Sequence, residues 1–162
     1  MSMIGYFLKA DDKLVEKMTQ GDPGEIIFDD AYSENMIDVD KTWHAIHFIL
    51  SGNAYESNDD NVLSQLVLGG APVNEEDLGY GPALLLDKNL VKQIAEALHA
   101  WDETLFRKKF NFKNMIANDI YPIIDGEDEN DFYDYVWGYF NNLKTFIIES
   151  AEEGVNVITF IN

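Results

Sequence analysis

Apolar residues recur at helical spacing in four segments of the chain, and these segments predict its main helices. The longest helix is predicted from about Asp131 to Glu153, with Gly154 as its stop signal. Its apolar stripe consists of Phe132, Val136, Phe140, Leu143 and Ile147. Shorter helices are predicted after Asp11 or Asp12, within Ile37–Gly52, and from Asp87 to about His99.

Three shorter apolar runs predict strands. Met3–Ala10 and Val155–Ile161 contain aromatic and β-branched residues, which favour strands. Ala83–Leu86 is a short apolar run that follows a glycine turn, which is typical of a buried strand. A fourth run, Glu25–Tyr32, is compatible with either a strand or a buried helical turn. The pattern predicts an α+β fold: a single compact domain over residues 1–162, with several helices packed on a small sheet that includes the N- and C-terminal strands.

Polar residues mark the connections between these elements. Gly21–Gly24 is typical of a turn, and Asp102 and Asn111 are placed to cap two short helices. We interpret Glu75–Asp77 as a solvated acidic run. We interpret Asp125–Asp131 as a second such run at the start of the long helix, because its spacing does not match a calcium-binding loop.

The segment Ile37–Gly52 contains two of the three histidines and is predicted to be an amphipathic helix. Asp38 or Asp40 is placed to cap its start, and Gly52 to end it. At about 100° per residue, Trp43, Ile46 and Leu50 form an apolar face. A polar line runs beside that face and consists of Asp40, His44, His47 and Ser51.

The polar line supports two interpretations. In the first it borders a cleft in which Asp40, His44 and His47 are candidate catalytic residues, with Asp40 orienting His44 and one histidine acting as a general base. Trp43, Ser51 and Tyr80 are the candidate ligand-binding residues. In the second, Asp40 is a first-turn residue paired with His44, and His47 is a half-buried histidine bonded to a backbone carbonyl. No third ligand pattern accompanies the histidines, so we predict no metal and no cofactor.

Two further patterns have ordinary structural explanations. The glycine turns Gly69-Gly70 and Gly79–Pro82 do not match a phosphate-binding loop, because no Lys-Ser/Thr pair follows them. The aromatic residues of the long helix indicate that more than one of its faces is buried, with a protein-binding surface as the alternative. This aromatic cluster is formed by Tyr133, Tyr135, Trp137, Tyr139 and Phe140.

The net charge limits the classes of molecule that the protein is expected to bind. The 162 residues include 30 acidic and 11 basic residues, for a net charge of −19, and 13% are aromatic, which is typical of a folded protein. Such a surface repels nucleic-acid phosphates and anionic lipids, and it favours a basic protein partner. Cysteine is absent, which excludes disulfides and thiol nucleophiles. With no signal-like or membrane-length apolar segment, the expected location is the cytoplasm.

Five parts of the chain together form a recognisable pattern: Met3–Gly5, Ile37–Phe48 with Ser51-Gly52, Leu68–Gly70, Gly79–Ala83 and Ile120–Pro122. In these segments the chain resembles the YfbM-like proteins, a bacterial family of domains of unknown function. The chain departs from the family at Tyr55–Asn61, which lacks an expected proline, and at Ile123-Ile124. The resemblance implies an α+β fold and brings no established activity, cofactor or catalytic residue.

Two functional hypotheses follow. The first, which we prefer, is a non-catalytic protein-binding domain with a strongly acidic surface, because no catalytic motif is recognisable. The alternative is a small-molecule-binding protein or a hydrolase-like enzyme with a cleft near Asp40, His44 and His47. The two hypotheses differ in whether the histidines line a cleft or lie in the core. The sequence leaves the oligomeric state open.

Overall fold

The computed structural model describes residues 2–162, in which helices pack on both faces of one antiparallel sheet. The strands are β1 (Gly5–Ala10), β2 (Met36–Asp38), β3 (Ala71–Asp77), β4 (Pro82–Leu86) and β5 (Asn156–Ile161). The helices are α1 (Asp12–Gln20), α2 (Pro23–Ile27), α3 (Trp43–Ser51), α4 (Gln65–Leu68), α5 (Lys88–Leu98), α6 (Glu103–Lys109), α7 (Phe112–Ala117) and α8 (Glu129–Glu153). Short 3-10 segments cover Asp30–Asn35, Asp40–Thr42 and Val62–Ser64.

The two terminal strands lie next to each other in the sheet, whose order is β2-β1-β5-β4-β3. β1 pairs with β5 along its whole length, from Gly5 opposite Ile161 to Ala10 opposite Asn156. The α+β fold with both terminal strands in the sheet is therefore confirmed. Strand β5 is buried on both faces, which explains its nearly continuous apolar sequence.

Each face of the sheet has its own core, because successive side chains of a strand point to opposite faces. Phe7 and Val157 belong to the larger core, together with residues of α3, α5 and α8. Leu8 and Ile158 belong to the smaller core, under α1 and α2. Phe28, which directly follows α2 on this side of the sheet, is 56% exposed.

The predicted helix ends agree closely with the structure. Asp87, Asp102 and Asn111 each accept a hydrogen bond from a first-turn N–H group. Helix α8 begins two residues earlier than predicted, with Asp128 as its cap, and ends at Gly154 in the left-handed conformation. In the aromatic cluster, Tyr133 and Phe140 are buried and the other three side chains are partly buried, as expected for core residues.

Two predicted loops are regular elements. The acidic run Glu75–Asp77 forms the end of β3, an edge strand, where acidic side chains reach solvent without disturbing the sheet. The turn at Gly21–Gly24 opens helix α2, because Asp22 caps it and Pro23 suits a first helical position. This placement also resolves Glu25–Tyr32 as helical. Among residues 2–162, no helix is both long and apolar enough to span a membrane.

Candidate functional site

The polar line predicted for Ile37–Gly52 is not formed, because the segment is not one helix. Ile37 lies in β2, residues 40–42 form a 3-10 turn, and α3 begins at Trp43. Asp40 adopts a left-handed backbone conformation, with φ of 49°, that few non-glycine residues adopt. The backbone therefore changes direction at Asp40, and the helical spacing that aligned Asp40 with His44 does not apply.

Asp40 interacts with the long helix and not with His44. The Tyr135 hydroxyl donates to Asp40 Oδ2 at 2.5 Å, and it accepts a hydrogen bond from the Lys41 N–H group at 3.3 Å. Burial raises the pKa of Tyr135, and the hydrogen bond to Asp40 raises it further. The expectation that Asp40 orients His44 is wrong. Asp40 instead connects the start of α3 to α8.

His44 is a structural residue of the core, with an exposed fraction of 1%. The backbone N–H of Tyr121 donates to His44 Nδ1 at 3.0 Å, so Nδ1 carries no proton. The proton is therefore on Nε2, which donates to the Ala54 carbonyl at 2.9 Å. The imidazole ring is stacked on Trp43 and lies against Tyr55. Burial lowers the pKa of His44, which keeps the ring neutral in this arrangement.

His47 is fully buried, and neither of its ring nitrogens has a hydrogen-bond partner among residues 2–162. This differs from the backbone-carbonyl bond that we expected. Burial lowers the pKa of His47 to about 4, while the nearby Asn53 side chain and Glu56 backbone oppose the shift without bonding geometry. A neutral, enclosed imidazole has no route to a substrate proton.

Trp43 and Ser51 also have structural roles. Trp43 is 5% exposed, and its indole N–H donates to the Met3 carbonyl at 3.0 Å. Ser51 Oγ donates to the Asn53 carbonyl and accepts from the Asn53 N–H group, which shapes the turn after α3. All residues from Trp43 to Leu50 are buried, so α3 has no open polar face.

The residues of the polar line do not border the main surface clefts of residues 2–162. Among five clefts formed by residues 2–162, with volumes from about 90 to 560 Å³, none is lined by Asp40, His44 or His47. Within the same residues, no group of three or more histidine or acidic side chains is arranged to hold a metal ion. The structure thus places the two histidines in the packed core.

Tyr80, the last candidate, does line a cleft. This cleft has a volume of about 510 Å³ and is lined by Ser2, Ile4, Tyr6, Gly79, Tyr80 and Asn162. Tyr80 is 44% exposed and Tyr6 is partly buried. The Tyr6 ring is stacked on Phe160, at 4.9 Å between ring centroids. We call this site the tyrosine cleft.

The turn at the tyrosine cleft is fixed by one carboxylate. Asp77 Oδ1 accepts the N–H groups of Gly79 at 2.8 Å and Gly81 at 3.0 Å. Both glycines have positive φ angles, which the turn requires. Because Asp77 already accepts these N–H donors, this glycine turn does not present them to an anion, in agreement with the prediction of an ordinary turn.

Phe28, a second exposed aromatic residue, and several carboxylates are connected to Tyr6 through the sheet or lie on neighbouring elements. Phe28 packs edge-on against Phe160, so it is joined to Tyr6 through that ring. Asp38 is directly opposite Tyr6 in the β1–β2 pair and lies on the same sheet face. The acidic aromatic face, as we name it, consists of Tyr6, Phe28 and Tyr80 with carboxylates that lie on the same or neighbouring elements: Asp22 and Glu25 at the start of α2, Asp38 opposite Tyr6, and Glu76 near the end of β3.

The carboxylates of this face influence one another. Partial loss of hydration raises the pKa of Glu76, and the neighbouring Asp22 and Glu25 raise it further. Burial raises the pKa of Tyr6, and the charges of Asp38 and Asp40 add to the effect. Tyr6 is therefore within range of the negative charge of Asp38.

The comparisons with known proteins agree with this architecture. A family model described as "Domain of unknown function (DUF1877)" matches residues 1–160. The chain belongs to this family. It is 28% identical to Protein YfbM of Escherichia coli (strain K12) over 133 residues, which are 80% of this chain and 78% of that protein. The crystal structure of YfbM, titled a protein of unknown function, matches with a TM-score of 0.74 and 24% identity over 98% of this chain and 99% of the other.

The resemblance to the YfbM-like family is thus confirmed, and the segments that carried it have structural roles here. A Cβ atom added at Gly5 would lie 2.8 Å from Trp43 Cβ, so only glycine lets β1 approach α3 this closely. Trp43 and His44, which belong to these segments, form hydrogen bonds with the backbone of Met3, Ala54 and Tyr121. In this YfbM-like domain the shared segments hold the sheet and the helices together.

Sequence reasoning missed Tyr6, Phe28 and Asp38 as candidate functional residues. Tyr6 lies in an apolar run that predicts a buried strand, and Phe28 follows two isoleucines of the smaller core. The only signal was the position of Phe28 directly before Asp29 and Asp30, since an apolar run that enters an acidic pair favours a surface position.

Proposed function

We propose that this domain is a non-catalytic binding protein whose acidic aromatic face receives a basic partner protein. The observation that carries the proposal is the exposure of Phe28 (56%) and Tyr80 (44%), two large aromatic side chains in a protein with a net charge of −19. Exposed aromatic residues within a charged surround are typical of protein-binding surfaces. The burial of His44 and His47 also supports the proposal, because these two residues were the strongest candidates for a catalytic role.

Charge supports a basic partner. The net charge of −19 attracts basic proteins over long range and accelerates their association. The same charge opposes nucleic acids and anionic lipids. We keep the sequence-based expectation that the partner is met in the cytoplasm. None of the five clefts described for residues 2–162 is lined by Asp40, His44 or His47, so they do not support the alternative of a small-molecule binder or hydrolase-like enzyme near these residues.

A matched pair of variants tests the proposal. F28A/E25Q removes one exposed aromatic residue and one carboxylate from the face, whereas I124A/D125N removes an exposed apolar residue (70% exposed) and a carboxylate elsewhere. Immobilised wild type and variants are incubated with native lysate of the producing cells. Each protein retained by the wild type is then purified, and its Kd is measured against all three.

We expect a basic protein whose affinity falls at least tenfold with F28A/E25Q and less than twofold with I124A/D125N. A loss of about 1.4 kcal/mol corresponds to a tenfold change in Kd. If the retained proteins bind all three forms equally, or if none is basic, the proposal is wrong.

A further inference from the structure

Four residues from three parts of the chain form a closed set of contacts around His44. The Tyr121 N–H group donates to His44 Nδ1 at 3.0 Å, and the Tyr121 hydroxyl accepts the Met3 N–H group at 3.0 Å. The Met3 carbonyl accepts the indole N–H of Trp43, whose ring is stacked on His44 at 5.0 Å between centroids. This histidine junction, as we name it, connects α3 to the loop before α8 and to the residues before β1.

The histidine junction forms only around a neutral imidazole. His44 Nδ1 accepts from the Tyr121 N–H group, and Nε2 donates to the Ala54 carbonyl at 2.9 Å. A protonated imidazole is a donor at both nitrogens and has no acceptor left. A proton at Nδ1 would therefore place two N–H groups opposite each other, whereas the bond from Nε2 to Ala54 remains. One proton thus breaks one defined bond and keeps the other.

We propose that the histidine junction is an acid-sensitive switch: a proton bound at His44 Nδ1 releases Tyr121 from α3 and so removes the acceptor of the Met3 N–H group. The released segment belongs to residues 118–128, where no helix or strand is formed and Ile124 is 70% exposed. Burial lowers the pKa of His44, so the junction is intact at neutral pH and responds to acidification. The switch does not involve the acidic aromatic face and does not rest on the proposed function.

The charged groups near His44 do not form an ion pair with it. Both of its nitrogens are bonded to backbone groups, and the Asp40 carboxylate is bonded to Tyr135. Titratable side chains on the elements packed around α3 include Asp40 and Lys41 before it, His47 on it, Tyr55 and Glu56 after it, Glu103 and Arg107 on α6, Asp119 and Tyr121 before α8, and Tyr133 and Tyr135 on α8. A proton gained by His44 is therefore not stabilised by a bonded carboxylate, and the lost Tyr121 bond is not replaced.

His47 titrates separately from His44. It lies one turn further along α3, and neither of its nitrogens has a hydrogen-bond partner among residues 2–162. Burial lowers its pKa to about 4, and the charge of a protonated His44 contributes to the shift. His47 is therefore still neutral when His44 binds its proton, and the switch depends on His44 alone.

The test is an NMR titration of the ¹⁵N-labelled full chain from pH 7.5 to pH 5, which stays above the sequence pI of about 4.2. Imidazole ¹⁵N signals report which nitrogen of each histidine carries a proton. We expect His44 to begin with Nδ1 unprotonated and to gain a proton there within this range. The amide signals of Tyr121 and Met3 should shift with the same midpoint. The protection factor of the Tyr121 amide against hydrogen exchange should fall at least tenfold.

Variants separate the switch from general effects of acid. H44N has a side-chain oxygen that can accept the Tyr121 N–H group and no proton to gain, so its Tyr121 and Met3 signals should not respond to pH. H99N carries the same substitution at an exposed histidine outside the junction and should respond like the wild type. H47L removes the second buried histidine and should keep the response, because His44 binds its proton first.

Four results would overturn the proposal. They are an unprotonated His44 Nδ1 at pH 5, an unchanged Tyr121 protection factor after His44 is protonated, a Tyr121 response that persists in H44N, and loss of the response in H47L. Far-UV circular dichroism of the same samples follows the whole fold, and unfolding of the entire chain together with His44 protonation would also contradict a local release. If H44N does not fold, the wild-type midpoints and H47L still decide.

Discussion

The residue types of helix α3 suggest a functional site, and those of the acidic aromatic face suggest ordinary structure. The exposure of the side chains indicates the reverse in both regions. Helix α3 carries two histidines and a tryptophan, yet all residues from Trp43 to Leu50 are buried. The acidic aromatic face contains ordinary strand and turn residues, yet Phe28 and Tyr80 are exposed. A side chain such as histidine can act on a substrate only where the substrate is able to reach it. Exposure, and not residue type, therefore separates the two regions.

Replacing His44 should produce the largest effect. H44A leaves the buried Tyr121 N–H and Ala54 carbonyl without partners and removes a ring that is stacked on Trp43. We expect a loss of about 3–4 kcal/mol in the free energy of unfolding. Urea denaturation followed by tryptophan fluorescence measures it. The control H99A replaces an exposed histidine and should change stability by less than about 0.5 kcal/mol.

If H44A lost activity or binding at unchanged stability, the contrast between a structural helix α3 and a binding acidic aromatic face would be wrong. In that case His44 would be a functional residue, and the structural explanation of helix α3 would be wrong. Stability and binding are therefore measured on the same preparation.

The pH dependence of His47 should be the next largest effect. Its pKa is lowered from 6.5 to about 4 in the folded state, so the unfolded chain takes up the proton first. The stability from the neutral ring is complete above pH 6.5 and is lost as the pH falls towards 4. At 1.36 kcal/mol per pKa unit, the loss is about 3 kcal/mol.

Comparison with H47L isolates this effect from the titration of the carboxylates. The variant keeps an apolar side chain in the core and has no proton to gain, so its stability should fall less between pH 7 and pH 4 than that of the wild type. Denaturation curves at four pH values provide the measurement. Identical pH profiles for the two proteins would show that His47 is protonated equally in both states.

Replacing the exposed aromatic residues should have the smallest effect on stability. F28A and Y80A remove side chains that are about half exposed, so each should change the free energy of unfolding by about 1 kcal/mol or less. Thermal denaturation at neutral pH measures the change. A loss above about 2 kcal/mol would mean that these residues are part of the core, and the proposed binding face would lose its basis.

The sequence predicted most of the fold because helix caps and strand patterns are local signals. Asp87, Asp102 and Asn111 cap helices as expected, since each cap needs only the N–H groups of the next turn. The edge strand β3 escaped prediction, because acidic residues are unusual in strands and its pairing partner is β4.

The site was harder to predict because it depends on contacts between distant residues. Asp40 turns away from His44 because its backbone is left-handed and Tyr135, 95 positions later, binds its carboxylate. His44 is bonded to Tyr121, 77 positions later. A helical wheel shows neither contact, because it represents only the residues of one helix. Similarly, Tyr6 and Tyr80 line the same cleft only after β1, β5 and the turn before β4 have assembled.

One titration compares both regions directly. A short arginine-rich peptide is added to the ¹⁵N-labelled protein at low salt, and the backbone and imidazole signals are followed together. We predict saturable shifts at Tyr6, Phe28, Asp38 and Tyr80, with the signals of His44 and His47 unchanged. Shifts centred on His44 and His47, with none on the acidic aromatic face, would contradict this result. They would mean that helix α3 binds the peptide and that the acidic aromatic face does not.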